Sequence, residues 1–388
     1  MNQHLFYNGL HQILALSLAL LKVKIFVRVE GIDSQAGVIA TLSLWGVIQL
    51  LSEDQRHLMR MNERNSFMLF SYFHRALRES LGHKLVVLTA VSIIIIATQS
   101  DRLQIEPILF FIIALLGYLL SILSAMATGA LESFGSIKQL SFAQILISII
   151  NFALFLPMIH NFVSIGYLAN VLITNSLLFF LVSYCLVSRQ KKVKQFVKGE
   201  QKIYFDKSRL YSRVLILESC IYAFDPLIIS TLSTGEAAVE YSVTRRIGIL
   251  ITIIPMATQP FFALNGSESI TKRINGSLKF LSVLSAVVFV ITSFYLLKFT
   301  LGYNSSDIYQ LQVGMVILGT ASIFCAPHIA SKSTDKWIQI RYQILTKLVP
   351  FTLVVSSICI ALFGAVAAFI TGTLYLLTYV WRLNRASK

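Results

Sequence analysis

Charged side chains lie within or beside long apolar stretches of this sequence at a small number of positions. The acids are Glu218, Asp225 and Glu240, and the bases are Lys22, Lys24, Arg28, Arg245 and Arg246. A charge at the centre of a bilayer costs about 2.5–3.5 kcal/mol on insertion scales, so such groups usually face a cavity and serve transport. The bases therefore predict a site for an anionic substrate. The acids predict a coupling-ion site or an ion pair.

Depth along the helix axis indicates which of these charges meet. Asp225 lies roughly 16 Å from the predicted cytoplasmic end of its stretch, at 1.5 Å per residue. Arg245 lies roughly 18 Å from the same face, because the next stretch runs in the opposite direction. We therefore predict that Asp225 interacts with Arg245 or Arg246. The other arginine would then be available to the substrate, since neighbours on a helix diverge by about 100°.

A structural role is the alternative for several charged residues. Lys22 and Lys24 lie close to the end of an apolar stretch, where long side chains can reach the lipid headgroups. The same alternative applies to Glu218, about one turn from the cytoplasmic face. A basic stripe of Arg56, Arg60 and Arg64 is predicted to rest on lipid phosphates, and attraction of a substrate head group is the alternative.

Enzymatic chemistry has no support in the sequence. We find no P-loop, GxGxxG, HExxH, CxxC or GxSxG pattern, so no nucleotide site, metal site or activated nucleophile is predicted. Cys185, Cys220, Cys325 and Cys359 all lie inside apolar stretches, which is typical of small core residues. We therefore predict that the protein is not an enzyme and holds no metal.

The composition indicates which kind of secondary structure carries these charges. Of 388 residues, 56% are hydrophobic and only 13% are charged, and the mean hydropathy is +0.72. A soluble fold cannot cover that much apolar surface, and a bilayer admits only helices or closed barrels. Because the apolar stretches are far longer than barrel strands, we predict an all-α polytopic membrane protein.

Apolar stretches of about 20 residues predict twelve transmembrane helices. Their approximate ranges are 5–27, 34–51, 84–99, 107–127, 140–159, 165–187, 214–232, 237–262, 277–299, 311–329, 344–363 and 364–381. The last two helices form one continuous apolar stretch, in which we place a tight turn at Gly364. No cleavable signal peptide is predicted, so the first stretch is interpreted as a retained helix.

The distribution of basic residues predicts the orientation. Most of the 33 Lys and Arg residues fall in alternate loops, whereas Arg28, Arg102 and Lys298 belong to the opposite set. Basic loops mark the cytoplasmic side, and the net charge of +15 is thereby explained without nucleic acid. We predict a bacterial inner-membrane protein with both termini in the cytoplasm.

A basic stretch at 188–213 divides the chain into two predicted six-helix lobes, 1–187 and 214–388. A weak internal similarity accompanies this division. The segment Gly31–Gly37 and the segment Gly235–Tyr241 each carry a glycine, an acid close behind it, and a small or aromatic residue six positions on. Repeats in transporters leave similarities of this kind.

The segment from Phe224 to Arg246 resembles the seventh and eighth helices of Wzx-type polysaccharide flippases, which belong to the multidrug/oligosaccharidyl-lipid/polysaccharide (MOP) exporter superfamily. It contains an acid (Asp225), an Ile/Leu-rich half helix, a Gly-acid turn (Gly235-Glu236), an aromatic residue (Tyr241) and arginine (Arg245-Arg246). The order of short and long loops is also similar. The end of the first helix, Arg28-Val-Glu-Gly31, is similar to the Arg-x-x-Gly of that family.

The resemblance implies two six-helix lobes in a V around a central cavity. It implies that a lipid-linked oligosaccharide repeat unit on undecaprenyl pyrophosphate crosses from the inner to the outer leaflet by alternating access, for O-antigen, capsule or another surface polysaccharide. It also implies a polysaccharide polymerase and a chain-length regulator as partners. We expect no cofactor apart from a coupling proton or sodium ion carried by the acids.

Three other functions stay open at this stage. A cation-coupled multidrug exporter of the same fold is expected to carry acids and aromatic residues in its cavity, whereas this chain adds bases. A lipid II flippase of the superfamily generally has more helices. A polysaccharide polymerase or membrane acyltransferase is disfavoured because the predicted outer loops are mere turns.

Overall fold

The chain is helical in nearly all of the residues that the structure describes. A computed structural model describes residues 2–61, 69–133, 137–187, 198–248, 251, 283–284, 287–293, 295–300, 308–331 and 335–386. The helices are α1 (Asn2–Glu30), α2 (Ile32–Met61), α3 (Leu69–Leu103), α4 (Pro107–Ser133), α5 (Ile137–Val187), α6 (Lys198–Leu232), α7 (Gly235–Ile247), α8 (Val287–Thr300), α9 (Ile308–Ser331), α10 (Asp335–Phe363) and α11 (Val366–Arg385). No strand occurs in these ranges.

Seven of the described helices are long and apolar enough to cross a bilayer, namely α2 to α6, α10 and α11. Large apolar side chains point outward from several of them, and Phe351, Leu362 and Phe363 are each about 70% exposed. An exposed apolar band of this extent is suited to lipid contact. The prediction of an all-α polytopic membrane protein is confirmed.

Helix α5 consists of two arms that meet at a sharp bend. Val163 has a φ of 49°, which no residue of a regular helix adopts, and Pro157 lies just before it. Gly166 packs so closely against the carbonyl of Met158 that a Cβ there would overlap it. The predicted turn between 159 and 165 is confirmed. With α5 counted as two arms, each predicted helix corresponds to a described helical segment.

Two further predicted turns are also observed as glycines with a left-handed backbone. Gly364 has a φ of +73° and separates α10 from α11, and Gly31 has a φ of +86° between α1 and α2. A side chain at such a position is strained, because its Cβ approaches the following carbonyl.

Beyond Ile247, most of the predicted eighth helix (237–262) lies outside the described residues.

Several helices extend beyond the predicted membrane segments. Helix α2 continues to Met61 and α3 begins at Leu69. Helix α6 begins at Lys198, so residues 198–213 of the predicted linker belong to a helix. The apolar-length criterion detects only the part of a helix that lies in lipid.

The described residues group into two compact units. One comprises residues 1–39 and 220–388, and the other comprises residues 40–219. Residues 1–39 thus group with the C-terminal part of the chain. The predicted lobes 1–187 and 214–388, which follow chain order, stay a prediction.

The unit of residues 40–219 contains an ion pair of Arg56, which was not predicted from the sequence. Arg56 Nη2 lies 2.6 Å from Glu132 Oε1, so Arg56 pairs with an acid of α4 instead of resting on lipid phosphates. Gly129, one turn earlier on α4, packs against the backbone of Arg56. The absence of a Cβ at Gly129 lets α2 and α4 approach. The side chains of Arg60 and Arg64 lie outside the described residues.

The same unit contains a cation inside its core. Lys84 is fully buried, and its Nζ donates to the carbonyl of Leu51 at 2.7 Å. Trp45 stacks on Phe110 with ring centroids 6.3 Å apart. Lys84 therefore belongs to the packed interior of this unit.

Reporter fusions test the predicted orientation. We expect periplasm-dependent reporters to be active after residues near Gly31, Arg102, Asn161, Gly235 and Asn304. We expect them to be silent near Arg64, Lys138, Lys198, Lys272 and Lys336, because basic loops stay in the cytoplasm. A silent fusion at Asn304 together with an active one at Lys198 would contradict twelve helices with both termini inside.

Candidate functional site

Asp225 is the centre of a buried polar cluster in the unit of residues 1–39 and 220–388. Its carboxylate is fully buried in α6. The hydroxyl of Tyr241 on α7 donates to Oδ2 at 3.0 Å, and the hydroxyl of Ser356 on α10 donates to Oδ1 at 3.3 Å. Each carboxylate oxygen thus has a neutral hydroxyl partner from a different helix.

A fourth helix completes the cluster. Thr371 Oγ1 on α11 lies 3.1 Å from Ser356 Oγ and 2.9 Å from the carbonyl oxygen of Ala367. Tyr241 is held in place by Phe369, with ring centroids 4.6 Å apart. Residues of α6, α7, α10 and α11 therefore converge on one acid, and the described hydrogen-bond partners at that point are oxygens.

This arrangement suits a small hard cation. Carboxylate, hydroxyl and carbonyl oxygens are ligands that hard cations prefer, and a carboxylate also accepts a proton. Across the described residues, no group of three His, Cys, Asp or Glu side chains is placed to hold a metal ion. The cluster therefore offers one charge and several neutral oxygens, which matches a monovalent ion better than a divalent metal.

Arg245 lies on α7, beside the helix of Asp225, but its hydrogen bond goes to a different acceptor. Its guanidinium donates to the carbonyl of Tyr222, one turn before Asp225. The guanidinium carbon also lies 5.1 Å from the centroid of the Tyr222 ring. Arg245 acts on Asp225 electrostatically, whereas the described hydrogen bonds to the carboxylate come from Tyr241 and Ser356.

Arg246 and Lys22 form a pair of like charges. Lys22 is partly buried in α1, and Arg246 is near enough on α7 to repel its ammonium group. Helices α1 and α7 are in contact. Two cations close together away from bulk water repel strongly, and an anion placed near both relieves that repulsion. The structure thus brings together two of the predicted substrate-binding residues.

The other predicted site residues lie in different surroundings. Lys24 Nζ lies 3.2 Å from the ring centroid of Phe299 on α8, which is a cation–π contact. Arg28 is exposed near the end of α1, and Glu218 is half-buried on α6. Glu240 is buried on α7, with 5% of its surface exposed. Lys22 and Lys24 point in different directions, since they are two residues apart on one helix.

The two similar glycine-acid segments meet in the structure. A Cβ on Gly235, at the start of α7, would overlap the carboxylate of Asp33 on α2. Thr234 caps α7 by accepting from the backbone N–H of Ala237 at 3.2 Å. The carboxylate of Asp33 therefore lies at the positive end of the α7 dipole, which is a favourable place for an anion. This contact fixes the start of the helix that carries Tyr241, Arg245 and Arg246.

Ser356 and Thr371 are not distinguished by the sequence. Serine and threonine recur in the apolar helices, where most of them bond a carbonyl of their own helix. Thr352 and Ser357, which bond Leu348 and Leu353, are examples from the same helix as Ser356. Only the packing of α10 and α11 on α6 distinguishes Ser356 and Thr371. Tyr241 was part of the family-like segment, but its partner was not predicted.

Several solved structures of membrane transporters have a fold similar to that of this chain. The inward closed conformation of the lipid II flippase MurJ matches with a TM-score of 0.62 at 13% identity, covering all of this chain and 87% of that one. The Vibrio cholerae MATE transporter VcmN in its bent form matches with a TM-score of 0.60 at 13% identity, over 99% of this chain and 95% of that one.

A third match is an inward-facing multidrug resistance MATE family transporter of the MOP superfamily. Its TM-score is 0.59 at 15% identity, over 96% of this chain and 94% of that one. No protein-family model matches the sequence, and no curated protein does so. At these identities the comparisons define the fold, which is that of MOP-superfamily transporters.

Proposed function

We propose that this protein is a flippase for an anionic lipid-linked oligosaccharide. It moves an undecaprenyl-pyrophosphate-linked repeat unit from the inner to the outer leaflet of the cytoplasmic membrane by alternating access. The observation that carries this proposal is the pair of like charges, Lys22 and Arg246, within a transporter fold. A pyrophosphate is the kind of group that both cations can bind at once.

The physical task fits the residues. A sugar pyrophosphate is too polar and too charged to enter hydrocarbon unaided, and fixed cations replace part of its hydration. No bond is made or broken, which agrees with the lack of catalytic motifs. The lipid tail stays in the bilayer throughout. A polymerase and a chain-length regulator are the partners that would use the translocated unit to build O-antigen or capsule.

We further propose that Asp225 carries the coupling ion, a proton or a sodium ion. Support comes from its full burial and from the oxygens of Tyr241, Ser356 and Thr371 around it. A buried acid with neutral partners changes its hydrogen bonding when an ion binds. Because Tyr241 belongs to the same helix as Arg246, such a change reaches the helix that binds substrate.

Deletion of the gene tests the proposed function. We expect lipid-linked repeat units to accumulate on the cytoplasmic leaflet and the mature surface polymer to disappear, as measured by leaflet-selective labelling and polymer electrophoresis. Complementation with the intact gene is the control. A mutant with normal polymer that becomes sensitive to cationic dyes would replace this proposal with the multidrug-exporter function.

A further inference from the structure

Helix α6 contains a proline at a position where a donor is required. The helix runs without interruption from Lys198 to Leu232 and includes Pro226. In an α-helix each backbone N–H donates to the carbonyl four residues earlier. Proline has no N–H, so residue 226 cannot supply the donor for the carbonyl of Tyr222.

Arg245 supplies that donor from the neighbouring helix. Its Nη1 donates to the carbonyl oxygen of Tyr222, and its guanidinium lies over the Tyr222 ring. A hydrogen bond from a charged donor is roughly twice as strong as a neutral one. The side chain of Arg245 therefore replaces the backbone bond that Pro226 removes.

The position of this bond matters for the buried acid. Tyr241 and Arg245 are four residues apart on α7, so they lie on one face. Tyr241 bonds Asp225, and Arg245 bonds the residue three positions before it. Helix α7 thus holds α6 at two points one turn apart, the Tyr222 carbonyl and the Asp225 carboxylate. Arg246, about 100° further round α7, faces elsewhere, near Lys22.

We propose that Arg245 is a positioning residue that completes α6 at Pro226, and that it does not bind the substrate. Arg246 then remains the arginine of α7 that contacts the anion. The transport part of this proposal rests on the proposed function. The bond between Arg245 and Tyr222 is a property of the protein without substrate.

A rescue experiment separates the two roles of arginine. Arg245→Ala should lower transport about tenfold or more at matched protein level, since a charge-assisted hydrogen bond is lost. Pro226→Ala restores the backbone N–H, so the double variant Pro226→Ala/Arg245→Ala should recover to within about twofold of Pro226→Ala alone. Arg246→Ala is the matched control, and Pro226→Ala should not rescue it.

Thermal unfolding of the purified variants gives a readout that needs no substrate. Arg245→Ala should lower the midpoint, and adding Pro226→Ala should restore it. The proposal is overturned if Pro226→Ala rescues neither transport nor the midpoint. If the midpoint is rescued while no lipid-linked oligosaccharide is moved by the intact protein, the positioning role stands and the proposed function fails.

Two further substitutions keep the test decisive if Pro226→Ala does not fold. Arg245→Gln keeps a neutral donor on a side chain two atoms shorter than arginine, whereas Arg245→Met has the length of glutamine without a donor. We expect Arg245→Gln to retain clearly more transport than Arg245→Met. Equal losses in both variants would mean that the donated hydrogen bond is not what Arg245 contributes, which contradicts the positioning role.

Discussion

Export of the lipid-linked repeat unit should fall to background when Asp225 is replaced by alanine or asparagine. Asparagine keeps the size of the side chain but removes the charge that can attract a proton or sodium ion. Alanine also removes the acceptor for Tyr241 and Ser356. A buried donor left without a partner costs about 1–3 kcal/mol, so Asp225→Ala should in addition lower the stability of the protein.

The measurement is the leaflet distribution of labelled repeat units in cells that contain matched amounts of each variant. Glu236→Gln is the control, because this acid lies on the same pair of helices but is exposed at the start of α7. We expect Glu236→Gln to export normally. Full export by Asp225→Asn would show that the carboxylate carries no coupling ion.

Reversing either charge of the Lys22–Arg246 pair should have a comparable effect. Lys22→Glu or Arg246→Glu would place an anion where the pyrophosphate is proposed to bind, so attraction becomes repulsion. The neutral variants Lys22→Gln and Arg246→Gln each lose one charge-assisted contact. For those variants we expect roughly 10- to 150-fold slower export, from about 1.5–3 kcal/mol per contact.

Lys298→Glu is the matched control for these reversals. Lys298 carries the same charge but is exposed near the end of α8. Its reversal should leave export unchanged, as measured by the rate of polymer appearance at equal protein level. Normal export by both Lys22→Glu and Arg246→Glu would contradict an anionic substrate at this pair. Export of cationic dyes by the intact protein would instead favour a drug exporter.

Apolar length and glycine placement were sufficient to predict most of the fold. The turn at Gly364 was predictable because two spans of about 20 residues cannot share one apolar stretch without reversing. The bend in α5 was predictable for the same reason, although its location at Val163 was not. The extension of α6 back to Lys198 was missed, because a helix outside lipid needs no apolar side chains.

The site was only partly predictable. Asp225, Arg246 and Lys22 are charges in apolar surroundings, and such residues are conspicuous in any membrane sequence. Depth along the axes predicted that Arg245 lies at the level of Asp225 on the following helix. The depth argument did not predict that Arg245 would donate to the Tyr222 carbonyl. Pro226 leaves that carbonyl without its backbone donor, but the sequence does not show which neighbouring side chain reaches it. Ser356 and Thr371 required the packing of α10 and α11.

The bend at Val163 also bears on how the chain enters the bilayer. Asn151 and Asn170, on the two arms of α5, donate to each other's backbone carbonyl at 3.1 and 3.0 Å. An asparagine amide that meets hydrocarbon alone is left unsatisfied, at a cost of several kcal/mol. If the two arms leave the insertion machinery as one hairpin, each amide already has its acceptor. The spacing of these two asparagines around the bend therefore favours release of the two arms into lipid together, in addition to stabilising their final packing.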